Sequence, residues 1–410
     1  MVANSESVTV ASPARSAGQR SAFPDAALLA AIAAIVYFFT VSERVTLDSF
    51  LPLANGFLEG RLHIAEPMPW LELVPRAEGG FYSPFPPMPA IVLIPFVALF
   101  GPDFDQGIAT ALLGAANVAL VMLLLRGIGT ARRTALWLTA AFAFGTVHWW
   151  AAGTGTVWLH AQIVAVFFAL LALNLAVRLR LPLLAGVFLG FAAASRLPVG
   201  LTLPLYLALY LGAARLSRFA PPSPSQWRSA AIFVVGLAVP ALLVALYNVA
   251  RFASPFEFGY GLIPGVLDEP WYANGLLSVD YVPRHLHLIF MRGPDYVEQA
   301  PWFRPNWSGM SLLLTTPIVL WLVKARSGWL VGAAWIAIAL GMVPDLLHGA
   351  PGFAQFGYRF ILDVLPIMML LLGLVFRDRI SIEARAAILI GIAVNAYGVW
   401  AVTVIGFVSY

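Results

Sequence analysis

The side chains able to do chemistry gather in a few places. Asp48 follows the first apolar run and precedes Ser49 and a helical stripe. A carboxylate beside an apolar surface can be tuned to take a proton from a hydroxyl. The same residue also suits the cap of a helix starting at Ser49. Arg196 lies in Ser195-Arg196-Leu197-Pro198, where two short apolar runs meet. A boundary arginine suits bidentate phosphate binding, or else it snorkels and anchors a helix end. Arg359 and Asp363 are four apart, so a helix would place them on one face. They form either a plain ion pair or an acid that aims Arg359 at a phosphate or a sugar. His148 and His160 flank Trp149, Trp150 and Trp158. The histidines read first as interfacial, with substrate binding by His160 as the functional alternative. The tryptophans read first as belt residues. His285 and His287 would share a face on a strand but not on a helix, which leaves a metal site there as a minor reading. Glu257 and Tyr260 follow another apolar run, as substrate-side candidates or as loop packing. Tyr82 and the prolines behind it read as a stiff wall.

These groups need elements to hold them. Phe50, Leu53, Ala54, Phe57 and Leu58 recur at helical spacing, and Gly60 follows. The pattern predicts a short amphipathic helix that stops at Gly60. Directly after a membrane span, such a helix lies on the bilayer surface. The run from Ala90 to Phe100 contains Pro95. It is far short of the roughly 20 apolar residues a span needs, so a second interfacial or re-entrant helix is predicted. Asp48 is then held between two surface helices.

The chain is 60% hydrophobic and 11% charged. That composition excludes an ordinary soluble domain and gives an all-α polytopic membrane protein. There is no cysteine, hence no disulfide framework and no thiolate metal site. Residues 1–22 read as a disordered cytoplasmic tail. The first apolar run ends in Val-Ser-Glu-Arg rather than a small-residue cleavage site, so an uncleaved anchor is expected. The rest, 23–410, reads as a single transmembrane domain. About 11 runs look able to cross: 25–41, 107–125, 134–150, 157–177, 182–195, 198–212, 230–250, 308–323, 328–346, 358–376 and 386–408. The fifth and sixth meet at Arg196 and read either as two spans or as one broken helix.

The positive-inside rule orients this set. With the N-terminus inside and 88–100 not crossing, the inner side holds Arg15, Arg20, Arg126, Arg132, Arg133, Arg178, Arg180, Arg215, Arg218, Arg228, Lys324, Arg326, Arg377, Arg379 and Arg385. That is 15 of the 24 Lys and Arg. Most acids and all six histidines fall outside or within a span. The C-terminus is then outside, and the long outer loops are 42–106 and 251–307.

An acid just after the first span, surface helices in a long first loop, and a Pro-Pro motif before a short apolar run together resemble the GT-C superfamily of membrane glycosyltransferases. The likeness is closest to the protein-O-mannosyltransferase and aminoarabinose-transferase-like branch, in a bacterial subgroup. It rests on Asp48-Ser49-Phe50 through Gly60-Arg61, Tyr82-Ser83-Pro84-Phe85-Pro86-Pro87 and His160-Ala161-Gln162. It rests also on Tyr247-Asn248 through Tyr260, and on Phe356-Gly357-Tyr358-Arg359-Phe360-Ile361-Leu362-Asp363. Ser49 departs from the second acid the family often carries there.

The resemblance implies transfer of a hexose or pentose from a polyprenyl-monophosphate donor, at the outer face of a bacterial plasma membrane. The acceptor would be a cell-envelope glycan, lipid or protein. Asp48 would be the catalytic base, and Arg196 and Arg359 the phosphate ligands. Tyr82, His160, Glu257, Tyr260 and Asp363 would be substrate-binding candidates. Replacing either arginine should weaken donor binding more than folding. The lipid-linked sugar is a co-substrate, divalent metal is left open, and no nucleic-acid partner is expected. The rival class is a transporter or lipid flippase. Transporters place ionisable groups at the midplane and show paired repeats. Here charges gather at the outer boundary and no repeat is visible.

Overall fold

The computed structural model describes residues 22–40, 47–68, 72–212, 221–326, 328–352, 354–403 and 405–406. Most of the expected 1–22 tail, and with it Arg15 and Arg20, lies outside the described residues, as do Arg215 and Arg218. The chain is helical, with two small antiparallel hairpins in its loops. One pairs Val74–Pro75 with Phe81–Tyr82, and the other pairs Asp295–Tyr296 with Phe303–Arg304.

Six helices are long and apolar enough to cross a membrane: Ala22–Phe39, Gln106–Gly127, Val157–Leu179, Pro224–Phe252, Trp329–Leu347 and Ile382–Thr403. The protein is therefore a multi-pass membrane protein. Met88–Phe100, Pro182–Ala193, Leu197–Tyr210 and Leu365–Val375 are shorter apolar helices. The predicted amphipathic helix forms at Phe50–Leu58, and Gly60 adopts φ +74 beyond it. Phe50, Leu51, Leu53 and Ala54 are buried, against a cluster that includes Ala90, Leu93 and Val97 of Met88–Phe100.

Several runs differ from the sequence expectation. The run 134–150 breaks at Gly145, giving Arg132–Phe144 and then His148–Thr154. The run 308–323 is one turn of α-helix, Leu312–Thr315, followed by a 3-10 segment, Pro317–Lys324. Pro317 supplies no N–H, and Thr316 before it leaves the helical region at φ −142, ψ 61. At 2.0 Å per residue the 3-10 stretch alone is about 16 Å long, so any crossing of a roughly 30 Å hydrocarbon core by this run needs Leu312–Thr315 and its flanks as well. The junction between the fifth and sixth runs is a true break, because Arg196 is extended at φ −146, ψ 109.

Charge separates along the helix axes. Arg132 at the start of its helix makes a two-pronged pair with Asp25 of the first helix, at 2.6 and 2.7 Å. The Arg178 guanidinium sits over Phe23, and the Arg377 carbonyl accepts from the Ala131 N–H at 2.7 Å. Three basic turns that the charge count assigned to one side thus share one end of the bundle.

Close approach of two helices depends on glycine. Gly186 and Gly190, four apart on Pro182–Ala193, face Pro224–Phe252 across Phe233, Gly236 and Pro240. A Cβ on Gly186 would collide with the Phe233 carbonyl, and one on Gly236 with the Leu183 carbonyl. Backbone contact of this kind is how small residues join membrane helices. Gly186→Ala should therefore cost about 1–3 kcal/mol by overpacking, read as a lower unfolding midpoint in detergent. An unchanged midpoint would show that the two helices are not in contact here.

Candidate active site

A cavity of about 1050 Å³ opens at the end opposite the basic turns. The five sequence blocks converge on it. Leu47, immediately before the first, lines it, as do Pro84, Phe85 and Pro86 from the second and Ala161 from the third. Phe256, Glu257, Phe258 and Tyr260 come from the fourth, and Arg359 and Phe360 from the last. Ring contacts join them: Phe50 with His160, Phe57 with Tyr247, and Tyr82 with Phe252. The proline wall is tied down by Arg251, which donates to the Ser83 carbonyl at 2.5 Å and to Asn248 at 2.8 Å.

Arg359 is almost wholly buried, at 6% exposure. Its backbone carbonyl accepts from Gln162 at 3.1 Å, and its N–H donates to Gln355 at 3.3 Å. The guanidinium lies over Trp158 and Phe360, 5.6 and 5.3 Å from the ring centroids. It is thus a buried cation in the cavity wall, held by its backbone and by contact with two rings.

Arg196 is held differently from the expectation. Its Nε and Nη2 donate to the Asp363 carboxylate at 2.8–3.2 Å, and Nη2 also donates to Asp345 at 3.0 Å. Two of its three nitrogens are committed to carboxylates. Asp363 therefore serves Arg196 rather than orienting Arg359 from the same face. The cause is local: Arg359–Asp363 is a 3-10 turn. With three residues per turn, positions i and i+4 point about 120° apart.

The other candidates divide. Glu257 lines the cavity while its Oε1 accepts from the Gly259 N–H at 2.6 Å. Tyr260 also lines it, with its hydroxyl 3.2 Å from Tyr272 and 3.5 Å from Glu72. Tyr82 is not among the lining residues; it packs under Arg76 and against Phe252. His160 is fully buried, within 2.7 Å of the Thr110 hydroxyl and 3.3 Å of the Pro89 carbonyl. It braces the helix of Trp158 and Ala161 and is not among the residues lining the cavity. Asp48 borders the cavity through its neighbour Leu47 and is itself half-buried.

His285 is on the helix Val282–Phe290, not on a strand, so His287 points elsewhere. Its Nε2 donates to the His348 carbonyl at 2.9 Å, leaving Nδ1 to accept from Tyr358 at 2.8 Å. Burial holds this imidazole down to about 4. Among the described residues no group of three or more His, Asp or Glu is placed to hold a metal ion.

The sequence reading missed Glu72, Glu269, Trp271, Tyr272, Trp307 and Asp345, all in the cavity wall. Glu72 has a carboxyl raised above its ordinary range, first by burial and then by Glu269. Arg359 and hydrogen bonds from Tyr260 and Trp158 oppose that rise. No motif marked Glu72. Asp345 carried a signal, since an acid inside an apolar run is expensive in lipid and usually has a task.

The fold is similar to a solved structure, that of ArnT from Cupriavidus metallidurans bound to undecaprenyl phosphate. The TM-score is 0.53 over 90% of this chain, at 18% identity. The fold is that of ArnT. The apo state of the same protein matches with TM-score 0.51 over 92% of this chain, at 17% identity. This chain spans 63% and 64% of those two ArnT chains. No family model matches the chain, and no curated protein matches it. The ArnT likeness agrees, at the level of fold, with the resemblance to the GT-C superfamily.

Proposed function

We propose that the protein transfers a sugar, hexose or pentose, from a polyprenyl-monophosphate donor to a cell-envelope acceptor. The observation that carries this is the cavity, where one buried arginine, several carboxylates and a set of aromatic rings meet on an ArnT fold. One ArnT structure of that fold is bound to undecaprenyl phosphate. The cavity end would face outward, the basic turns and the N-terminus would lie in the cytoplasm, and the C-terminus would lie outside. The eleven crossings of the sequence reading would then include the shorter apolar helices, with Phe50–Leu58 and Met88–Phe100 on the outer surface.

In this reading Asp48 takes the proton from the acceptor hydroxyl as its oxygen bonds to the anomeric carbon. The bond from that carbon to the phosphate oxygen breaks. Arg359 stabilises the departing phosphate, whose charge develops in a water-poor site. Glu257, Tyr260 and Glu72 hold sugar hydroxyls, and Trp158 and Trp271 offer ring faces. Arg196 locks Asp345 and Asp363 and so fixes the wall behind Arg359.

The test is transfer from a labelled polyprenyl-phosphate sugar by the purified full chain in nanodiscs. Movement of the lipid between leaflets with no transfer to any acceptor would sink the enzyme reading in favour of a flippase.

Glu72 adds a pH dependence. Its folded value is raised, so it gains a proton as pH falls through that value, and it then accepts from a sugar hydroxyl only as a neutral acid, a weaker bond than the carboxylate makes. Donor affinity should fall on the acid side in the wild type, and Glu72→Gln should abolish that limb. The linkage sign is also fixed. An ionised Glu72 costs stability at neutral pH, and that cost disappears as the pH falls, so Glu72→Gln should not lower the unfolding midpoint. An acid limb that persists in Glu72→Gln would assign it to another group.

A further inference from the structure

A second cavity, of about 420 Å³, lies far from the first. Its walls are Arg180, Tyr210, Ser223, Ser225, Gln226 and Ser229, with Leu209 and Gly212. Three elements run from the first cavity towards it. Val157–Leu179 starts beside Trp158 and ends next to Arg180, about 30 Å away at 1.5 Å per residue. Leu197–Tyr210 starts at the first cavity and ends in the second. Pro224–Phe252 starts in the second and leads to Phe256 in the first.

The chemistry of this second cavity is that of an anion site. Among the described residues its lining has one cation, three serine hydroxyls, a carboxamide and a phenol, and no acid; the serines and Gln226 also bond to one another around the helix start. It also abuts the N-terminus of a 29-residue helix, capped by Ser223, where the helix dipole favours negative charge. A helix start alone would not make a site. The second observation is Tyr210, which is 8% exposed and whose hydroxyl has no hydrogen-bond partner among the described residues. A buried hydroxyl without a partner is costly, and a ligand oxygen in the cavity it lines would satisfy it. Trp227 beside the site is 57% exposed, as expected for a ring at headgroup depth.

We propose that this cavity binds a phosphate group at the basic end of the bundle, held by Arg180 and the Tyr210 hydroxyl. Two sources fit that chemistry: the headgroup of an anionic phospholipid, and free phosphate. Basic pockets between membrane helices are known to take such headgroups. The site shares no residue with the first cavity and stands whether or not the transfer reading holds.

The experiment uses the detergent-solubilised full chain. Its unfolding midpoint is followed against phosphatidylglycerol, phosphatidylcholine and inorganic phosphate in separate titrations. Phosphatidylglycerol should raise the midpoint and phosphatidylcholine should not. Tyr210→Phe removes a single oxygen and should weaken the apparent affinity about tenfold, the usual effect of losing a hydrogen bond to a charged group. Arg180→Gln should weaken it at least as much, and Arg228→Gln, outside the cavity lining, should leave it unchanged. If inorganic phosphate alone reproduces the shift with the same dependence on Tyr210 and Arg180, the site stands with free phosphate as its source. A shift that survives in both Tyr210→Phe and Arg180→Gln, or no shift from either phosphate source, overturns the proposal.

Discussion

Asp48→Asn should lower the transfer rate by about 10²–10⁴-fold, the usual contribution of a positioned general base, with folded yield unchanged. The reasoning is geometric. Asp48 sits at the entry to Phe50–Leu58, whose inner face is buried against Met88–Phe100. Its neighbour Leu47 lines the cavity, and the Leu47 carbonyl accepts from the Val157 N–H at 2.7 Å. The backbone at Asp48 is therefore pinned to the same helix that carries Trp158. Asparagine keeps the shape and any helix-capping role but cannot take the proton. The effect should fall on the turnover number, with little change in donor affinity. Glu72→Gln is the internal comparison, because Glu72 lines the cavity directly. If Glu72→Gln abolishes turnover and Asp48→Asn leaves it intact, the base is Glu72, and the sequence-derived assignment fails.

That comparison also shows what the sequence made legible. Periodicity marked Phe50–Leu58 because one buried stripe at helical spacing leaves few alternatives. Basic residues marked one end of the bundle because charge is costly in lipid wherever it falls within a span. The five blocks around the cavity were recognisable as blocks, and Arg251 with Ser83 shows why two of them belong together. What failed were inferences that needed three-dimensional partners. The spacing of Arg359 and Asp363 implied a shared face only if the turn were α-helical, and Pro366 follows the 3-10 turn almost at once. Glu72 lies in an irregular loop with neither helical nor strand periodicity. Only the packing of Tyr260, Trp158 and Glu269 around it reveals a buried carboxyl. His160 looked polar and boundary-placed, yet its neighbours Thr110 and Pro89 come from distant segments.

Arg196 is where this difference has its largest physical consequence. Arg196→Ala should destabilise the fold by about 3–5 kcal/mol, the range for removing one partner of a buried ion pair. Asp345 and Asp363 are 5% and 2% exposed, so two carboxylates would be left at close quarters with their shared cation gone. Arg196→Lys keeps the charge but loses the planar fork that engages both acids, and should fall between wild type and alanine. Arg359→Ala should behave in the opposite sense. Its loss should weaken donor binding by about tenfold or more, as for a charge-assisted contact to phosphate, with the smaller effect on folding. The pair of measurements is the unfolding midpoint in detergent and the affinity for a polyprenyl-phosphate sugar. Normal stability with lost donor affinity in Arg196→Ala would return Arg196 to the phosphate. Its carboxylate partners would then be an arrangement of the unliganded state, released when the donor arrives.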